Sequence, residues 1–348
     1  MEMAKCRIIM SLLLIVGILF QGCDSDVKCR NDNGRAVDWY MLYKLPAGLS
    51  YMYMDKSTRG WELSREKINS RSGTLANTLK PLLDFYDNKS VNFGYMLYND
   101  QPPNGMPSAS YGHSKGVVML DEQTGVWLSH STPKFPTYRN RDFWPTSGNP
   151  NAQTFICVTY PYSEFKKIGL HLKYIHPYSY DSAIPTTFHE ELRCVAQQKC
   201  YPKLKPWSFV RKLTSVKGSH FFSFAKYTRF GDDLYSGLIV KYLKRNLYVK
   251  SWGRMRHRLP SNCSTSIPHH VYNVKTINLN GKFFRDTVDH SKWCVTPGGV
   301  WTCIADTNRE VSQMRRGGGA ICINDGKVQK AFSALISRYE HCKPASPP

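Results

Sequence analysis

The chain has 348 residues, 41% of them hydrophobic and 13% aromatic, with a formal net charge of +21. This composition excludes a disordered or low-complexity polypeptide and suffices for one large domain or two moderate ones. The positive surplus favours a polyanionic partner: nucleic acid, acidic lipid or sulfated glycan.

Residues 1–23 read as a secretory signal peptide. Lys5 and Arg7 form a basic start, and the apolar stretch 8–20 is too short to span a bilayer comfortably. Its removal takes two basic and one acidic side chain and leaves a charge of +20. No later stretch is long and apolar enough to cross a membrane. Residues 36–46 and 91–103 read as strands ending at turn residues. Residues 116–120 and 125–131 predict a hairpin around a turn at 121–125. Residues 154–172 predict a strand followed by a helix, and 188–195 a short helix. Helical spacing of Leu234, Leu238, Ile239, Tyr242 and Leu243 predicts a helix, then a strand, within 230–252. Residues 327–342 read as a C-terminal helix. Strands and helices mixed through both halves predict a layered α/β fold. The expected division is 24–185 and 186–348, with an interface shared between the halves.

Nine cysteines follow the leader, at 29, 157, 194, 200, 263, 294, 303, 322 and 342. In a secreted chain they read as disulfides, and the odd count leaves at least one free thiol. Cys194 and Cys200 are spaced to close a small local loop. Asn88 and Asn262 sit in glycosylation acceptor triplets.

His-Ser-Lys occurs twice, at His113–Lys115 and His290–Lys292. Each copy has a Trp downstream (Trp127, Trp301). Each also has polar side chains one hairpin later: His130 in the first copy, Asp306 and Asn308 in the second. On a strand, residues i and i+2 share a face, so each His projects with its Lys. Two such units facing each other would place two imidazoles and two ammonium groups round one cavity. That set suits a phosphodiester. The lysines neutralise phosphate oxygens, one His attacks or activates, and the other protonates the leaving oxygen. A pair of solvated basic hairpins is the bland alternative.

Other motifs carry less. The His-Leu-Lys at His171 lacks the frame and reads as a surface face. Asp232 and Asp233 are one adjacent carboxylate pair, which a helix N-terminus favours anyway. His189 opens a sequence with Arg193 where a zinc motif needs its second His. His269 and His270 have no thiolate or carboxylate at metal spacing. The run at 315–319 offers Arg315 or Arg316 and backbone amides to phosphates, or is a flexible loop.

The stretches 36–46, 98–103, 111–117, 224–237, 259–264, 289–295, 301–309 and 315–319 together resemble the deoxyribonuclease II family of acid endonucleases. The resemblance covers nearly all of the mature chain, and 184–192 and 269–275 look closer to its beta branch. The family is similar to the phospholipase D superfamily, whose active site joins two His-x-Lys units across a pseudo-twofold axis. The superfamily's Asp after the Lys falls one place late here, at Asp121; Pro297 takes its place in the second half, and His130 replaces the first Asn. The resemblance implies a phospholipase D-like pseudo-dimer of two mixed β-sheet halves flanked by helices. It implies His113, Lys115, His290 and Lys292 as the catalytic core, with His130, Asn308 and Asp306 contacting or orienting the phosphate. It implies bridges Cys29–Cys157, Cys263–Cys342 and Cys303–Cys322, with Cys294 as the unpaired thiol. The expected activity is metal-independent cleavage of DNA through a phosphohistidine, leaving 3′-phosphate and 5′-hydroxyl ends. The expected substrate is double-stranded DNA with little sequence preference. No cofactor is expected, nor any membrane in the mature form. The expected location is the lysosome, reached by the secretory pathway, or outside the cell. Competing readings are a phospholipase D-type phosphodiesterase or phosphatidyl transferase, and an inactive nucleic-acid binder.

Overall fold

A computed structural model describes residues 27–137, 142–263 and 268–342. The expected signal peptide, residues 1–23, lies outside the described residues. A small ribbon pairs β1 (Cys29–Arg30) with β2 (Ala36–Val37). The first large sheet comprises β3 (Trp39–Lys44), β4 (Ser50–Asp55), β5 (Glu62–Lys67), β6 (Gly94–Asn99), β7 (Lys115–Leu120), β8 (Thr124–His130), β9 (Gln153–Pro161) and β10 (Ser179–Ala183). Its spatial order is β10-β6-β7-β8-β9-β3-β4-β5, antiparallel throughout. Helix α1 (Thr74–Asp87) joins β5 to β6, α2 (Phe165–Ile175) follows β9, and α3 (Glu190–Ala196) follows β10.

The second sheet comprises β11 (Ser208–Thr214), β12 (His220–Lys226), β13 (Leu247–Lys250), β14 (Val271–Leu279), β15 (Lys282–Arg285), β16 (Trp293–Val295), β17 (Trp301–Ala305) and β18 (Gly318–Asn324), with β19 (Ile336–Tyr339) paired to β14. Its order is β11-β12-β18-β17-β16-β13-β14-β15, and β13 and β14 run parallel. A π-helix at Leu234–Ile239 runs into α4 (Val240–Leu243), and α5 (Gly326–Ser333) follows β18.

Central strands bury both faces, which is why they read as nearly continuous apolar runs. In β3, Trp39, Met41 and Tyr43 enter one cluster while Tyr40 and Leu42 enter another. The first of these clusters spans both sheets. It joins Trp127 and Ile156 to Trp293 and Ile304, with Leu172 of α2 and Phe332 of α5 packed among them. The halves therefore share one core, and each has a smaller cluster of its own beyond.

The order β6-β7-β8-β9 recurs as β13-β16-β17-β18, and a helix follows the last strand each time. Each His-Ser-Lys leads into the second strand of its quartet. A buried lysine ends the strand beside each quartet. Lys44 Nζ donates to the carbonyls of Leu45, Asn149 and Asn151 at 2.8, 2.7 and 2.9 Å. Lys226 Nζ donates to those of Gln313, Met314 and Arg316 at 2.9, 3.1 and 2.7 Å.

Two expectations are corrected. The C-terminal segment is helical only over Gly326–Ser333, because Ile336–Tyr339 takes the free edge of β14 instead. His171 is not on a surface: it is 1% exposed, edge-on to Trp127 at 4.8 Å. The buried stripe Ile168, Leu172 and Ile175 of α2 carries it inward.

Disulfides join Cys29–Cys157, Cys194–Cys200, Cys263–Cys342 and Cys303–Cys322. Cys294 is a buried free thiol, and burial pushes its pKa up, away from the reactive thiolate. Asn88 is exposed at the C-terminus of α1; Asn262 is half-buried, its backbone bonded both ways to Val271.

Candidate active site

His113 and His290 stand just before β7 and β16, and both line one cavity of about 320 Å³ between the halves. Lys115, Lys292, Asn308 and Arg316 line it too. Each histidine is held by the opposite half. The His113 backbone N–H donates to Gly317 O at 2.8 Å, and that of His290 donates to Ala152 O at 2.9 Å. These acceptors adjoin Arg316 and Asn151, whose carbonyls the buried Lys226 and Lys44 secure. Glycine is required at 112 and 317: a Cβ would lie 2.2 and 2.0 Å, respectively, from the Ile175 carbonyl oxygen.

The His113 ring is fixed in one tautomer. Its Nδ1 lies 2.8 Å from Asp306 O, and a carbonyl can only accept, so Nδ1 carries the proton. Nε2 of neutral His113 then carries the lone pair. Burial first, and then Lys115, Lys292 and Arg316, hold its pKa well below the ordinary value, against the pull of Asp100. His290 packs edge-on against Trp252 at 4.4 Å, and its buried Nε2 has no hydrogen-bond partner among the described residues. Burial, with Lys292 and Lys250 nearby, lowers its pKa to about 3. Burial and Lys115 lower that of Lys292 to about 7, and its ammonium donates to His290 O at 2.9 Å.

The other candidates divide. Asn308 Oδ1 accepts from the Trp252 backbone N–H at 3.1 Å, so it holds the segment whose indole packs on His290. Asp306 touches His113 through its carbonyl; its carboxylate accepts from Gly319 N at 2.9 Å, and burial raises its pKa to about 7. His130 is not among the cavity-lining residues. It stacks on Phe155, and its Nδ1 accepts from Thr132 N at 3.2 Å. Arg315 does not line the cavity, whereas Arg316 does.

Two carboxylates escaped the sequence reading. Asp100, at the end of β6, pairs with Lys115 and with Arg316 at 3.2 Å, and lies 3.9 Å from His113 Nε2. Burial opposes its charge, but Lys115, His113 and Arg316 outweigh that and hold its pKa well below the carboxylate range. Asp289 beside His290 pairs with the fully buried Lys250 at 3.1 Å and accepts from Tyr43 Oη of the first sheet at 2.7 Å. Both carboxylates neutralise lysines close to the motifs.

The weaker motifs resolve separately. Asp233 caps the π-helix and pairs with Arg309 at 3.4 Å; Asp232 turns to Lys241 at 3.6 Å. Asp121 accepts from Gln123 N and Thr124 N within a turn. His189 stacks on Tyr162. His270 has two sulfur neighbours, Cys263 and Cys342 within 4.8 Å, but they are joined as a disulfide and offer no thiolate. Among the described residues no group of potential metal ligands lies at the cavity.

The family profile for deoxyribonuclease II matches residues 28–342. The chain belongs to the deoxyribonuclease II family. It is 40% identical to mouse deoxyribonuclease-2-beta over 91% of this chain and 93% of that one. It is 39% identical to rat deoxyribonuclease-2-alpha over 95% and 99%, and 37% identical to human deoxyribonuclease-2-beta over 95% and 96%. Alpha and beta relatives thus match this chain at overlapping identities, and the family match spans both His-Ser-Lys segments.

Proposed function

We propose that this deoxyribonuclease II hydrolase is a metal-independent acid endonuclease that cleaves duplex DNA through a phosphohistidine. The observation that carries the reading is one cavity lined by His113, Lys115, His290 and Lys292, with each histidine anchored on the other half. The recurring strand quartets and the paired lysines Lys44 and Lys226 support a phospholipase D-like pseudo-dimer, divided near residue 185. Disulfides support passage through an oxidising compartment, and the acidic site chemistry fits a lysosomal enzyme.

His113 Nε2 attacks phosphorus, and the P–O5′ bond breaks. The electron pair goes to O5′, which takes the proton of His290. A water then attacks phosphorus, gives its proton to His290 and releases His113, leaving a 3′-phosphate. Lys115, Lys292 and Arg316 bind the phosphate oxygens. The anionic phosphate raises the pKa of His290, so that it holds the proton it donates. Above about pH 7, Lys292 loses its charge and phosphate binding weakens, so activity falls toward alkaline pH. Asn308 and Asp306 orient rather than react, and His130 packs on Phe155 outside the cavity lining.

Plasmid nicking at pH 5 with excess EDTA tests this. Full activity with 3′-phosphate ends is expected. Loss in EDTA restored by magnesium, or a rate still rising at pH 8, would overturn it.

Asp100→Asn tests the missed carboxylate. It leaves Lys115 and Arg316 without their counter-charge, and turnover should fall by about 10²-fold, as for other misplaced catalytic groups. Asp100 raises the pKa of His113, so the acid limb of the pH profile should move lower. An acid limb moving to higher pH would contradict that electrostatic role.

A further inference from the structure

A row of aromatic rings begins two residues before His113 and leads away from the cavity. Tyr111 supplies the carbonyl that Arg316 binds at 3.0 Å, and its ring lies 5.0 Å from that of His176. His176 is 5.7 Å from Tyr201, and Tyr201 lies nearly parallel to Tyr227 at 6.3 Å and 7°. Trp207 follows at 6.0 Å, with Arg229 over its ring at 5.3 Å. Rings that only filled the core would be covered like Tyr98, yet Tyr201 is 43% exposed and the neighbouring Leu204 81%. A second cavity of about 450 Å³ opens beside Tyr201, lined by Lys173, Lys199 and Lys203 and by no carboxylate. The Cys194–Cys200 disulfide ties the loop that carries Tyr201 to α3.

An exposed Tyr201 among lysines, with a half-buried Trp207 further along the row, matches the chemistry of an unpaired nucleic-acid strand. Each base offers a face to an aromatic ring, and each phosphate a charge to an ammonium. We infer that Tyr201, Trp207 and the three lysines form a stacking platform that takes nucleotides locally unpaired from the duplex beside the scissile phosphate. The inference rests on the DNA-cleaving reading, but its test is independent of turnover. The full chain carrying His113→Gln is used, so that the probes stay intact.

Binding of a 12-nucleotide thymidine oligomer is compared with that of an abasic oligomer of equal charge. The thymidine oligomer should bind roughly tenfold tighter or more. The double substitution Tyr201→Ala, Trp207→Ala should remove most of that difference, while Tyr201→Phe keeps it. Replacing Lys173, Lys199 and Lys203 by Gln should weaken both oligomers and flatten the logarithmic salt dependence by about two. Equal affinity for the two oligomers, or a base preference unchanged in the double variant, would sink the platform. An enzyme that binds as expected but cleaves no DNA would remove the nuclease reading alone.

Discussion

His113→Gln should abolish DNA cleavage, by at least about 10³-fold, while His290→Gln should spare one class of substrate. Both positions are required on DNA, because a 5′-alkoxide is a poor leaving group that needs a proton. A thymidine 3′-(p-nitrophenyl phosphate) needs none, since p-nitrophenolate leaves unaided. His290→Gln should therefore release a burst of p-nitrophenolate near one equivalent and then stall, because water attack still lacks its base. His113→Gln should release no burst, since Nε2 of His113 supplies the new bond. This asymmetry follows from the fixed tautomer, with Nδ1–H on Asp306 O and the lone pair at Nε2. Circular dichroism and DNA binding should be near normal for both variants, because one imidazole is a small part of the basic surface. A burst from His113→Gln and none from His290→Gln would exchange the two roles. Bursts from both would remove the covalent mechanism.

The repeated His-Ser-Lys was legible because its meaning needs only strand geometry: alternate residues share a face, and the second copy doubles the set. The strands of the first half were legible for a similar reason, since residues such as Trp39 to Tyr43 are apolar on both faces. Partners that come from elsewhere in the chain were not legible. Asp100 sits in a turn-rich sequence and gains meaning only when β6 lies beside β7 and Arg316 arrives from the other half. Asp306 was singled out for its side chain, yet it meets His113 through its carbonyl, which every residue possesses, so no side-chain pattern could reveal that role. Nothing in the sequence marks Lys44 and Lys226 as internal, yet they are fully buried, with backbone carbonyls converging on them. Strand β19 was lost because four residues alternate too briefly to override a helical pattern next to them. His171 could have been found: residues 168, 171, 172 and 175 make one helical stripe, and the short-motif reading obscured the longer period.

That stripe makes the resting enzyme less stable at the acid pH where it is proposed to work. His171 is buried against Trp127, and desolvation lowers its pKa to about 3. In the unfolded chain it titrates near ~6.5. Above that pH both states are neutral and no penalty exists. As pH falls below it, the unfolded state takes up a proton that the folded state refuses, so stability declines until about pH 3. At pH 5 the loss from His171 alone is about 2 kcal/mol. His113, His130 and His290 are held down by burial in the same direction. Asp306, raised to about 7, acts in the opposite sense: its proton stays on in the folded state between about pH 4 and 7, so rising pH costs stability there and offsets part of the histidine gain. The histidines outnumber it, so chemical denaturation should give a more stable protein at pH 7 than at pH 5. His171→Leu should lose about 2 kcal/mol less between those pH values than the parent, whatever its stability at pH 7. An oligonucleotide should restore the acid-side stability of the parent, because a bound phosphate stabilises the protonated forms of His113 and His290. It should leave the His171 contribution unchanged, since that residue does not line the cavity. Equal pH dependence in parent and His171→Leu would show that the His171 ring takes up its proton without unfolding.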